Sequence, residues 1–144
     1  MRNTEIFWNL VKEIGWGTKS TNSKNLKRRL HKEYNQEFLD AMKDIAVRQR
    51  RALAMIMDEF ALKETGSISS YWNVSDDGFW DLTAHIVGLG KEVYDFICKN
   101  PIYAKTIKYE ENFEYMFNKE RDYSNAVTPS EGAIIEDENP TKDD

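Results

Sequence analysis

Between Asn35 and Phe60 the apolar residues recur at spacings of three and four: Phe38, Leu39, Met42, Ile45, Ala46, Leu53, Ile56, Met57 and Phe60. That period keeps one face of an α-helix apolar over about 25 residues. Asn35 is placed as its N-cap, and Glu37 falls near the positive end of the helix dipole. A helix of this length needs a long complementary surface to cover its apolar face, and the rest of the chain also reads as helices.

Ile6, Phe7, Leu10, Val11 and Ile14 follow Thr4, a candidate N-cap, at helical spacing, and Gly15 and Gly17 bracket Trp16 as a stop. A second, short helix begins at Thr21 or Ser23 and carries Leu26 and Leu30 on one side. Residues 65–74 have the small polar composition of a loop. Ser75 then caps a helix whose first turn holds Asp76 and Asp77, with Phe79, Leu82, Ile86 and Val87 as its buried stripe. Gly88-Leu89-Gly90 interrupts it. Val93, Tyr94, Phe96 and Ile97 resume the period up to Asn100-Pro101, where proline suits a first helical position. A last helix is predicted from about Glu110, with Phe113, Met116 and Phe117 inward and Glu110, Glu111 and Glu114 outward. The fold class is therefore all-α: a compact single-domain bundle of about five or six helices over residues 1–123.

The net charge of −5 is unevenly spread. From Ser124 onward six acids (Glu131, Glu136, Asp137, Glu138, Asp143, Asp144) face one base, Lys142, so residues 1–123 are neutral. Residues 124–144 have little besides Ile134-Ile135 to bury against the entropy of ordering, and a disordered acidic tail is expected. Such a tail keeps the chain soluble, folds back over the basic stretch, or mimics an acidic ligand for it. Within the body, positions 19–32 carry Lys19, Lys24, Lys27, Arg28, Arg29 and Lys32 without an acid, and Arg48, Arg50 and Arg51 form a second basic cluster. No run approaches the roughly 20 apolar residues that cross a bilayer. No secretory signal is read at the start, and the single cysteine, Cys98, cannot form an intrachain disulfide, so a cytoplasmic setting is expected.

Few residue patterns in the chain point to chemistry. His31 and His85 are far apart and sit in no metal-ligand spacing, so no metal and no cofactor are implied. His85, beside Leu82 and Ile86, reads as a histidine at the core edge with a satisfied ring. Cys98, next to Phe96 and Ile97, reads as a packed thiol rather than a nucleophile. Ser75 with Asp76 and Asp77 can be drawn as a catalytic constellation, but capping uses the same atoms and needs no substrate. Gly88-x-Gly90 follows a helical pattern and lacks the rest of a phosphate-binding fingerprint.

Surfaces remain. Lys24, Lys27, Arg28, Arg29 and Lys32 surround much of a short helix, either as a solvated face or as a binding surface, with Arg48 and Arg51 as a second candidate. Trp16, Tyr71 and Trp72 fall in loops, where an aromatic plugs the core from its rim, the reading favoured here, or serves as an exposed recognition anchor. These ten residues are the candidate partner-binding set.

Ser75-Asp76-Asp77-Gly78-Phe79, followed by Gly88-Leu89-Gly90-Lys91-Glu92-Val93-Tyr94, resembles the centre of a bacterial family of uncharacterised small domains, domain-of-unknown-function family 4240, aligned without a gap. Phe7-Trp8 and Tyr109-Glu110-Glu111-Asn112-Phe113 resemble that family's beginning and end, so the likeness covers most of residues 5–123. Thr83 stands where the family pattern usually has arginine, and His85 where it has tryptophan. The resemblance implies a bacterial or bacteriophage intracellular protein with a mostly helical domain, and brings no established catalytic residues. Ser75, Asp76, Asp77, Gly78, Phe79, Gly88 and Gly90 are read as structural.

Three functions follow as expectations. The first is a non-catalytic protein-binding module, of the immunity or inhibitor type, that occludes another protein. The second is a small-ligand or nucleotide-handling protein using Ser75–Gly90, where a helix start receives an anion if Asp76 and Asp77 turn away. The third is nucleic-acid binding through the basic helix; an acidic pI of about 5.2 and the lack of aromatics interleaved among the bases argue against it.

Overall fold

The computed structural model describes residues 2–17, 23–66, 71–111 and 113–119. The elements are α1 (Asn3–Ile14), α2 (Ser23–Glu33), α3 (Gln36–Thr65), α4 (Asp76–Gly88), α5 (Lys91–Lys99) and two 3₁₀ helices, Pro101–Thr106 and Glu114–Phe117. No strand occurs among the described residues, so the domain is all-α. No helix among them is long and apolar enough to cross a membrane. The expected tail and its boundary at residues 123 and 124 lie outside the described residues, as does Thr21.

α3 is the spine. At a rise of about 1.5 Å per residue it runs roughly 45 Å, and α4, α5, α1 and both 3₁₀ helices pack along it. Its stripe of Leu39, Met42, Ala46, Leu53, Met57 and Ala61 is buried against Phe7, Leu10 and Val11 of α1, Leu82, Ile86 and Val87 of α4, and Phe113, Met116 and Phe117. Asn35 caps it, its side chain accepting from the Phe38 N–H at 2.8 Å. The helix has 30 residues, longer than its apolar pattern, because Ala61 is still buried in the core and Leu62-Lys63-Glu64 are good helix formers that need no buried face to continue. It stops at Gly66, whose φ of 78° lets its N–H return to the Leu62 carbonyl.

Two boundaries correct the sequence reading. α1 is capped at Arg2, with Thr4 inside the helix, because the Glu5 carboxylate accepts from the Arg2 N–H at 3.1 Å. The expected C-terminal helix from Glu110 is instead irregular backbone leading into the single 3₁₀ turn Glu114–Phe117. Phe113, Met116 and Phe117 are buried as anticipated, and Glu110 and Glu111 are exposed, but Glu114 faces inward. Its carboxylate meets a buried arginine, Arg50, which supplies the opposite charge that an inward acid requires. Phe96 also departs from its expected place in the stripe of α5. It is half exposed, with its ring 5.3 Å from that of Tyr103.

Candidate functional site

α2 is amphipathic in an extreme way. Leu26 and Leu30 are its buried residues, while Lys24, Arg28, Arg29 and Lys32 are exposed and Lys27 is half-buried. Arg28 donates to the Asn25 side-chain oxygen at 3.3 Å, and Arg29 to the Ile14 carbonyl at the end of α1 at 3.5 Å. Both acceptors are neutral, so these bonds orient the guanidinium groups without cancelling their charge. His31 ties the helix to the core by donating from Nε2 to the Met116 carbonyl at 2.9 Å. Arg48 and Arg51 are exposed on the side of α3 away from its core stripe, whereas Arg50 is buried.

Of the aromatic candidates, Trp16 and Trp72 are buried, which removes them as exposed anchors. Trp16 plugs the core because its indole N–H finds a buried acceptor, Nδ1 of His85, at 3.0 Å. Trp72 packs edge-on against Tyr71, with ring centroids 4.7 Å apart, and beside Phe60. Tyr71 is half-buried, and the Lys105 ammonium lies 3.9 Å over its ring.

The Ser75–Gly90 motif is built for packing and capping. Ser75 Oγ accepts from the Gly78 N–H at 3.0 Å, while Asp76 and Asp77 are exposed in the first turn and Phe79 packs half-buried on the core. Gly88 is where α1's end and the C-terminal segment close in: a Cβ there would lie 2.7 Å from both Trp16 Cδ1 and Phe113 Cδ1. Gly90 turns the chain between α4 and α5 at φ 108°, a conformation that side-chain-bearing residues avoid. Thr83 is fully buried, and its hydroxyl is positioned to donate back to the Phe79 or Trp80 carbonyl, at 2.9 and 3.0 Å.

His85 is the buried polar junction of the fold. Its Nδ1 accepts from Trp16 and also from the Glu110 backbone N–H at 3.1 Å. Two donors on Nδ1 place the ring's proton on Nε2. Burial holds the imidazole pKa below its ordinary value, opposed by the nearby Glu110 carboxylate. Cys98 and Tyr94 form another hydrogen-bonded pair; burial pushes both thiol and phenol up, and the Tyr94 hydroxyl donates to the Gln49 carbonyl at 2.7 Å. A thiol held protonated in this way is a poor nucleophile.

Between α4, α3 and the C-terminal segment lies a cleft of about 420 Å³, lined by Lys43, Asp77, Trp80, Asp81, Ala84, Glu111, Phe113, Glu114 and Tyr115. Beside it Arg50 Nε donates to Glu114 Oε2 at 2.6 Å, and the guanidinium carbon sits 3.6 Å from the Trp80 ring centroid. Lys43 donates to the Asn118 side-chain oxygen at 2.7 Å. The carboxylates of this lining disfavour phosphate and other anions. Among the described residues no group of three or more His, Cys, Asp or Glu side chains is placed to hold a metal ion. The sequence did carry a signal for the Arg50 pair: Ala46, Arg50, Leu53 and Met57 share one helical face, so Arg50 occupies a core position by periodicity.

A small helical domain whose motif residues cap and pack, with a cluster of exposed bases on one short helix, is what the fold defines. The chain belongs to the family described as Protein of unknown function (DUF4240), whose sequence model matches residues 1–126. No curated protein and no solved structure matches it.

Proposed function

We propose that this protein is a non-catalytic protein-binding module, of the inhibitor or immunity type, acting in a bacterial or phage-infected cytoplasm by covering an acidic surface of a partner with the basic face of α2. The observation that carries the reading is the exposure of Lys24, Arg28, Arg29 and Lys32 on one short helix, with the two arginines held by neutral acceptors. Preorganised like charge of this kind steers a complementary partner and rejects others. Arg48 and Arg51 are a second exposed basic pair that the same partner could meet.

The small-ligand reading of Ser75–Gly90 is weaker, because it requires Asp76 and Asp77 to turn away from the helix start, and Asp77 lines the cleft with three further carboxylates. The test is capture of a partner by the intact chain, followed by titration of the purified pair with native protein and with Arg28→Glu/Arg29→Glu. The double variant should keep its helical circular dichroism and bind at least about tenfold more weakly, as expected when like charges are opposed across an interface. Undiminished binding removes α2 from the interface. Capture of nucleic acid alone, released at moderate salt, replaces this reading with nucleic-acid binding.

A further inference from the structure

We infer that the basic face of α2 has an occupant within the same chain: the acidic segment Glu131–Asp144 docks on Lys24, Arg28, Arg29 and Lys32. The inference rests on the reading of α2 as a binding face and specifies what competes for it.

Where the chain leaves the described core is the first argument. The Met116 carbonyl accepts from His31 near the C-terminal end of α2, the Phe117 carbonyl accepts from Gln36 at 2.8 Å, and Asn118 is held by Lys43. The last described residue, Lys119, thus lies three residues after the bond to His31 of α2 and one residue after the bond to Lys43 of α3. Reach is the second argument. α2 is about 16 Å long, and the residues from Lys119 to Glu131 can span up to about 40 Å when extended. Every base on the helix is therefore accessible to the acidic segment. Because docking is intramolecular, it is independent of protein concentration.

Charge supplies the direction. Residues 124–144 carry six acids against one base. Two surfaces that the segment Glu114–Phe117 adjoins differ in sign: α2 is basic, whereas the cleft beside Glu114 and Tyr115 is lined by Asp77, Asp81, Glu111 and Glu114 against a single base, Lys43. An acidic segment leaving between them is drawn to α2 and repelled by the cleft. Lys24 and Lys32 make no ion pair among the described residues, and the bonds of Arg28 and Arg29 go to neutral groups, so docking breaks no competing salt bridge at these four positions.

Zero-length carbodiimide cross-linking of the full chain, read by peptide mass spectrometry, tests this. In the monomer band at low salt, cross-links from Glu131, Glu136, Asp137 and Glu138 to Lys24 or Lys32 should exceed those to Lys63, Lys91 and Lys99 by about fivefold per lysine. They should fall toward the control level in about 1 M salt, where the screening length is only about 3 Å. Arg28→Glu/Arg29→Glu should remove the excess, and so should Glu131→Gln/Glu136→Gln/Asp137→Asn/Glu138→Gln, judged on the remaining tail acids; the second variant leaves the helical body untouched. An even spread over all exposed lysines, or cross-links confined to dimers, overturns the inference. The two proposals fail separately. Tail cross-links on α2 combined with partner binding indifferent to Arg28 and Arg29 sink the partner reading alone, and α2-dependent partner binding without tail cross-links sinks this one alone.

Discussion

His85 shows how a single ring can be structural and titratable at once. Its Nδ1 receives two N–H groups from parts of the chain far apart in sequence, the Trp16 indole and the Glu110 backbone. Protonation of that atom would end both bonds. The folded ring binds a proton less readily than the ordinary imidazole of pKa 6.5, so as pH falls the unfolded chain takes up its proton first. The stability owed to the neutral ring is complete above that value and is lost as pH drops through the window beneath it. Thermal melts between pH 7 and 5 should show a falling midpoint. His85→Gln, which offers a non-titrating oxygen to the same donors, should flatten that slope, and an unchanged slope would exclude the imidazole as its source.

Arg50 and Glu114 give a second prediction. Their side chains are 6% and 7% exposed, and Glu114→Ala should destabilise the fold by about 3–5 kcal/mol, because a buried guanidinium loses its carboxylate. Arg50→Met/Glu114→Leu should recover much of that loss in urea titrations, since it removes both charges together. The sequence placed His85 correctly at the core edge but hid its partners, which are 69 and 25 residues away. It misassigned Glu114, because a carboxylate at a helical spacing reads as outward until its cation is known to be inside.

Among the elements, local signals were most informative where one residue suffices to define a terminus. The Asn35 and Ser75 caps were predicted from residue type and both hold the expected backbone N–H. Ser75→Ala should cost about 1 kcal/mol by chemical denaturation, the ordinary value of a lost N-cap; a null effect would mean that Asp76 or Asp77 can take over the role. Gly88→Ala tests a different constraint. Gly88 is the last helical residue of α4, so its Cβ meets no backbone penalty, and the loss of about 1–3 kcal/mol expected is overpacking against Trp16 and Phe113. Periodicity was a poorer guide to length. It stopped α3 at Phe60, although Ala61 is still buried and helix-forming residues carry the backbone to Thr65. It also extended a helix through Glu110, whose N–H is instead drawn out to His85.

For the whole molecule, the all-α class followed from the apolar period of α3, which left the remaining segments to cover a long face. The charge layout was also apparent as a count, since a neutral body with a basic helix and an acidic end requires no coordinates. What could not be read was adjacency. That the basic helix and the carboxylate-lined cleft flank the same C-terminal segment depends on how Glu114–Phe117 packs against both α2 and α3. Raising the ionic strength should weaken the proposed partner binding through α2 more than it weakens the fold, whose core is apolar; parallel salt series of affinity and melting midpoint would check this.

The slender attachment of α2 carries one more consequence. Two buried leucines, the bond from His31 to Met116 and that from Arg29 to the Ile14 carbonyl anchor a helix whose residues Lys24, Arg28, Arg29 and Lys32 face solvent. A unit held by so little buried surface opens locally at a free energy well below that of global unfolding. Its amides should exchange with deuterium well before those of α3. A ligand on its basic face would then register as slowed exchange confined to residues 23–33, a footprint that appears whatever the chemical nature of the bound molecule.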